Sequence, residues 1–215
     1  MSLDGVWQVL LTVVTTTHVP VLGESRTVSS SLTLATIAGG VQTQRMCDSW
    51  MTDRNPLAEV LLPEAFIAAF PEESFPVELG ESGGRVTYRV VQPRQAVGYD
   101  AAGPMPLRAE DPGVTDWEGD GRPGATVRVR VPFAGEGEVW MVQVGRTVLD
   151  GVVLGADRVE GGVRTLEFAQ RTIGASNRLL DVNPIVRPDD AASRFVMTRV
   201  PDGTTCGTLP GRRER

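Results

Sequence analysis

Hydrophobic and polar side chains alternate one for one through much of the chain. In "RTVSSSLTLATI", Val28, Leu32 and Leu34 share one face, while Thr27, Ser29, Ser31 and Thr33 share the other. In "RVTYRVV", Val86, Tyr88 and Val90 alternate with Thr87 and Arg89. "ATVRVRV" sets Val127, Val129 and Val131 against Thr126, Arg128 and Arg130, and "RTLEFAQRT" sets Leu166 and Phe168 against Thr165 and Glu167. Successive strand side chains point to opposite faces, so a period of two marks strands with one buried and one wet face. Such strands belong to antiparallel sheets. The pattern predicts strands at about 5–17, 26–37, 41–48, 84–92, 125–132, 137–147, 151–160, 163–173 and 193–200.

The links carry turn chemistry. "AGG" at 38–40, "AGEG" at 134–137 and "EGG" at 160–162 read as hairpin loops, and "PDGTT" at 201–205 reads as a turn. One segment departs from the alternation. In "PLAEVLLPEAFIAAFPEE", Pro63 suits a first helical position, Phe66, Ile67 and Phe70 form an apolar stripe, and Pro71 ends it. This predicts one or two turns of helix packed against the sheet. Residues 93–124 form a long link rich in Pro, Gly and acid. A structureless link of that length inside a compact domain is usually functional or wrongly assigned. The expected fold is all-β: one domain over 1–215, an antiparallel up-and-down barrel or sandwich of about 8–10 strands, with one short helix and a long acidic loop.

Composition narrows the setting. The chain has 215 residues, 41% apolar and 22% charged, in the range of a folded globular protein. Its net charge is −6, and its only basic block is the tail "GRRER", which argues against nucleic acid as the main partner. All 21 basic residues are Arg, Ile and Asn are scarce, and Val, Gly, Ala and Pro are plentiful. That bias follows GC-rich codons and points to a high-GC bacterial source. No apolar run approaches the ~20 residues a membrane helix needs. The run "VWQVLLTVV" is interrupted by Gln8 and Thr12 and lacks the basic flank and cleavage site of a signal peptide.

Cys47 and Cys206 are the two cysteines. They are either two free thiols or one bridge from an early strand to the C-terminal tail. Their polar surroundings, "RMCDSW" and "GTTCGTL", suit a surface staple. A bridge would imply an oxidising compartment: secreted, periplasmic or cell surface.

The sharpest chemistry lies in "TDWEGDGRPGATVRV". Asp116, Glu118 and Asp120 occupy every second position, Gly121 follows, and the carbonyl of Arg122 stands seventh. Acids at positions 1, 3 and 5, a glycine at 6 and a carbonyl at 7 are how a tight loop gathers oxygen ligands for calcium. An EF-hand would need a bidentate Glu at position 12; here that position is Val127, inside a strand pattern. The stretch resembles the loop of FG-GAP/VCBS-type β repeats, where such an acidic turn leads directly into an apolar strand. The resemblance implies a structural calcium ion on Asp116, Glu118, Asp120 and Arg122. Gly124 stands where that family carries a further acid, so Glu110 and Asp111 are candidates to complete the shell.

"GVW" at Gly5, Val6 and Trp7 is similar to the G-x-W of the first strand in lipocalin-like barrels. That resemblance implies a cup holding a small apolar ligand.

Catalytic constellations are missing from the sequence. His18 is the one histidine and reads as a strand-end residue. With two distant cysteines it cannot build a closed His/Cys zinc site. No nucleophile elbow, P-loop or dinucleotide-binding glycine motif is present. The reading is therefore not an enzyme, with a hydrolase kept as the outsider. The expected function is an exported, calcium-stabilised binding or structural module whose partner is a protein, a glycan or a small apolar molecule. Trp50, Tyr99 and Trp117, in or beside loop-like sequence, are its candidate surface contacts. A lipocalin-like carrier is the alternative.

Overall fold

Two long strands organise the sheet. In the computed structural model, which describes residues 2–19, 23–53, 58–132 and 135–211, the first is β1 (Gly5–Val19). β1 pairs along its whole length with β2 (Gly23–Ala38), and β2 with β3 (Val41–Asp53). The elements that follow are short: β4 (Glu59–Leu61), the helix α1 (Glu64–Ala68), β5 (Glu73–Pro76), β6 (Glu78–Ser82), β7 (Arg85–Val91) and β8 (Gln95–Val97). After the long link come β9 (Ala125–Val131), β10 (Gly135–Val153), β11 (Arg158–Ala175), β12 (Ile185–Pro188) and β13 (Arg194–Val200).

The second organiser is the 19-residue β10. One edge pairs with β11; the other is served in turn by β9, β8 and β7. β13 bridges β11 and β1, so one antiparallel sheet runs β4-β9-β10-β11-β13-β1-β2-β3-β5. Right-handed twist curls it into a half-barrel.

Alternation assigns the faces. Odd positions of β10 (Val139, Met141, Leu149) reach the inner clusters, and even positions (Trp140, Val142, Val144) reach an outer one. The main inner cluster holds Trp7, Val9, Tyr88, Leu149, Phe195 and Met197. A second inner cluster receives α1 through Phe66 and Ile67, against Val127, Val131 and Val139. Outside, the long link lies on β10 and β11 through Tyr99, Met105, Ala109 and Val114. The tail covers Leu32 with Leu209, stapled by the Cys47–Cys206 disulfide, whose Cα atoms are 5.1 Å apart. Of the two states open for the cysteines, the bridge is the one formed.

The all-β expectation holds, and the barrel-like alternative is the architecture found. Among the described residues the sheet contains thirteen strands rather than eight to ten. β4, β5, β6, β8 and β12 have three to five residues each, too few to display alternation. Pro63 is the N-cap of the helix and not its first residue.

One turn was misplaced by the glycines. "EGG" at 160–162 is strand, not hairpin; β10 and β11 turn at 154–157 instead. Gly151 and Gly161 face each other across the pair. A Cβ on Gly151 would lie 2.7 Å from Phe195 Cζ, and one on Gly161 would collide with the carbonyl of Asp150. These glycines make room for close packing rather than for a turn. The "AGG" and "PDGTT" turns stand where expected, while part of "AGEG" falls outside the described residues.

Candidate functional site

The acidic loop closes on itself through hydrogen bonds. At its base, Gly124 N–H donates to Thr115 O at 2.8 Å and Trp117 N–H donates to Gly124 O at 3.0 Å. Asp116 then acts as the hub: its Oδ1 accepts the N–H groups of Gly119 (2.8 Å) and Asp120 (3.0 Å), and its Oδ2 accepts that of Gly121 (2.8 Å). Asp120 accepts Arg122 N–H and Thr126 Oγ1–H, both at 2.8 Å. Glu118 Oε1 accepts Thr126 N–H at 2.6 Å, which anchors the loop to the start of β9. Glu118 Oε2, a buried atom, lacks a hydrogen-bond partner among the described residues, as does the buried Trp140 Nε1–H on β10. Burial pushes the Glu118 carboxyl above its usual range, and the charge of Asp120 adds to this against the opposing bonds from Thr126.

Three negative charges within five residues are therefore held by amide dipoles and a hydroxyl. Among the described residues, no three His, Cys, Asp or Glu side chains converge in a metal-holding group. Asp111, a proposed extra ligand, caps its own turn, with Oδ2 accepting the N–H groups of Leu107 (2.7 Å) and Arg108 (3.0 Å). Glu110 is exposed on that same turn. Arg122 lies with its guanidinium 5.4 Å from the Trp140 ring centre and 3.9 Å from Glu138. Gly124 has a physical reason to be glycine. Its φ is +80°, and a Cβ there would sit 2.6 Å from the carbonyl of Met141. The loop presses so closely on β10 that no acid fits at that position.

The three candidate surface aromatics lie apart and serve packing. Tyr99 is buried under the long link. Trp117 packs edge-on against Phe70 at 5.2 Å and donates Nε1–H to Phe66 O at 3.2 Å, tying the acidic loop to α1. Trp50 packs beneath the stapled tail with Leu34 and Cys206. They form no aromatic surface. His18 is an exposed residue near the end of β1, as read from the sequence.

The sequence reading missed a polar chain on the inner face. Tyr88 Oη donates to Gln42 Oε1 at 2.6 Å, and Gln42 Nε2 donates to Gln44 Oε1 at 3.0 Å. Gln44 bonds in turn to Glu73, whose Oε1 also accepts Gln95 Nε2–H at 3.2 Å. Burial raises the Glu73 carboxyl above its ordinary range, opposed by the bond from Gln44. The available signal was Gln42 and Gln44 at positions i and i+2 of a strand, which places both amides on one face. The chain of bonds ties β3, β5, β7 and β8 together across the sheet.

Trp7 is enclosed completely, with its Nε1–H donated to Leu3 O at 2.8 Å and the Arg199 guanidinium 4.5 Å from its ring centre. No family model, curated protein or solved structure matches the chain.

Proposed function

We propose that the chain is an exported bacterial β-domain that acts as a binding or interaction module through its outer edges and loops. One observation carries this reading over the internal-cavity carrier. The inward face of the half-barrel is filled by Trp7, Tyr88, Phe195, Leu149 and Met197, each at most 1% exposed. The volume an apolar ligand would need is occupied by side chains. Export is supported by the disulfide, because such bridges persist in oxidising compartments. Native mass spectrometry of the purified protein tests the reading. The expected result is the bare chain mass; a co-purifying apolar molecule in stoichiometric amount would replace the module with the carrier.

A structural calcium ion at the acidic loop is the second reading, favoured by the buried, unpartnered Glu118 Oε2. Calcium would sit with Glu118, Asp116 and Asp120 and would add its binding free energy to folding. The carboxylate oxygens already accept the loop's own donors, so the ion would share them. Melting in excess calcium and in chelator should differ by several degrees; coincident midpoints would remove the ion and leave a loop closed by hydrogen bonds alone.

A further inference from the structure

The inner face of β10 is packed at one glycine and empty at another. A Cβ on Gly151 would strike Phe195, whereas a Cβ on Gly145 would meet no atom within 4 Å. The register shifts in the β10–β11 pair leave out Leu166 and Ile173 of β11, so β10 itself alternates without interruption. Gly145 is therefore on the same face as Met141 and Leu149, where β10 meets the two inner clusters, and stands between them.

Pairing names the walls of this gap. Gln95 on β8 and Phe168 on β11 lie directly opposite Gly145, one on each side. Gln143, on the same face of β10, lies opposite Gln170. Directly opposite residues share a face, so Gln95, Phe168, Gln143 and Gln170 all belong to the inner surface. At ordinary strand spacing, the gap spans about 9–10 Å from the Gln95 backbone to that of Phe168.

Solvent reaches it. Gly145, Gln143, Phe168 and Gln170 are half-buried, not sealed. The amides of Gln143 and Gln170 make no hydrogen bond among the described residues, and none of their atoms is among the buried unpartnered ones. Both amides are therefore open to a ligand.

The lining selects the chemistry. Arg146 and Arg171 lie on the outer face, and Glu73 is already bonded to Gln95 and Gln44. An ion would find no free counter-charge on these walls. A purely apolar molecule would strip water from the Gln143 and Gln170 amides without replacing its bonds. What fits is neutral, carries groups that both donate and accept, and has a C–H face for the Phe168 ring. Sugar hydroxyls match amide oxygen and nitrogen in this way, and a sugar ring offers the C–H face.

We propose that the gap over Gly145 binds a neutral sugar unit of a glycan, stacked on Phe168 and hydrogen-bonded by Gln143 and Gln170. The site goes beyond the surface-module reading, which concerns the outer edges and loops. No result at this gap bears on that reading.

The test is an array of neutral and acidic glycans probed with the whole protein, followed by titration calorimetry with the oligosaccharide retained most strongly. Neutral glycans should be retained. Gly145→Leu should abolish binding by filling the gap, with the melting midpoint unchanged because its Cβ meets no atom within 4 Å. Gln143→Ala with Gln170→Ala should weaken binding by about tenfold or more. Those two changes remove no hydrogen bond of the fold, so they decide the matter if the leucine variant does not fold. An array that retains no glycan, or only acidic ones, would overturn the proposal. So would a neutral glycan that binds equally well to the glutamine double variant or to folded Gly145→Leu.

Discussion

Tyr88 and Gln42 meet inside the sheet, the phenol donating to the amide oxygen at 2.6 Å while both side chains are essentially sealed from solvent. Burial raises the Tyr88 phenol far above its usual value, so it stays a donor throughout the working pH range. Tyr88→Phe keeps the ring and strips Gln42 Oε1 of its donor. An unsatisfied buried acceptor costs ~1–3 kcal/mol. Urea unfolding should show a loss of that size. Gln42→Leu removes the same bond, so the double variant should lose less than the sum of the two singles. Strict additivity would mean that the bond contributes nothing.

Glu73 ends this chain, and its raised carboxyl has a signed consequence for pH. A folded-state value above the unfolded one means that the native protein holds the proton more tightly. The associated stability is complete below the ordinary carboxylate range and is lost as pH rises through the folded value. Glu73→Gln removes this ionisation. The variant should melt above the parent near pH 7, with the gap closing below about pH 4. Parallel melting profiles across that window would contradict the assignment.

The acidic loop gives a third expectation, independent of any ion. Asp116 accepts three backbone N–H groups through charge-assisted bonds, so Asp116→Ala returns the amides of the turn from Gly119 to Gly121 to solvent. A loss of ~1–3 kcal/mol should appear in chelator as well as in calcium. Asp116→Asn keeps one acceptor oxygen and should fall between alanine and the parent. An alanine variant that is neutral in chelator would mean that the hydrogen bonds do not hold the loop.

What the sequence disclosed follows from the range over which each signal acts. Alternation is local, so the strands around Val28, Tyr88, Val127 and Phe168 were readable as strands, while the wet face was not: β2 buries Leu32 on one face and Thr33 and Ala35 on the other, and Leu166 of β11 is exposed. The helix was readable because Pro63, Phe66, Ile67 and Phe70 lie within two turns. Gly161 and Gly162 misled because the space Gly161 leaves is taken by the Asp150 carbonyl on the facing strand β10, a contact set by the β10–β11 pairing and not by its sequence neighbours. The acidic loop was found as a motif, but its ninth residue is set by contact with Met141 on β10. The pairing that joins Gln42 to Tyr88 likewise needed the fold.

The glycine packing is itself testable. Gly151 lies on the inner face, where a Cβ would sit 2.6 Å from the Glu160 carbonyl as well as 2.7 Å from Phe195 Cζ. Gly151→Ala should destabilise by about 1–3 kcal/mol through overpacking. Phe195→Leu in that background should recover part of the loss by vacating the ring. Failure of the second change to help would place the strain in the backbone pairing instead.

The disulfide closes a separation of 159 residues, yet it staples a tail to the outer face rather than joining two halves of the core. Cross-linking stabilises mainly by restricting the unfolded chain, typically by ~2–4 kcal/mol. Cys206→Ser should therefore lower the melting midpoint and also release the tail locally. Leu209, 4% exposed, covers Leu32 on β2. Losing the staple should speed amide exchange in the 204–209 turn well before the pairing of β1 with β2 is affected. If those two regions instead exchange together, the tail is part of the cooperative core and the bridge acts on the global transition alone.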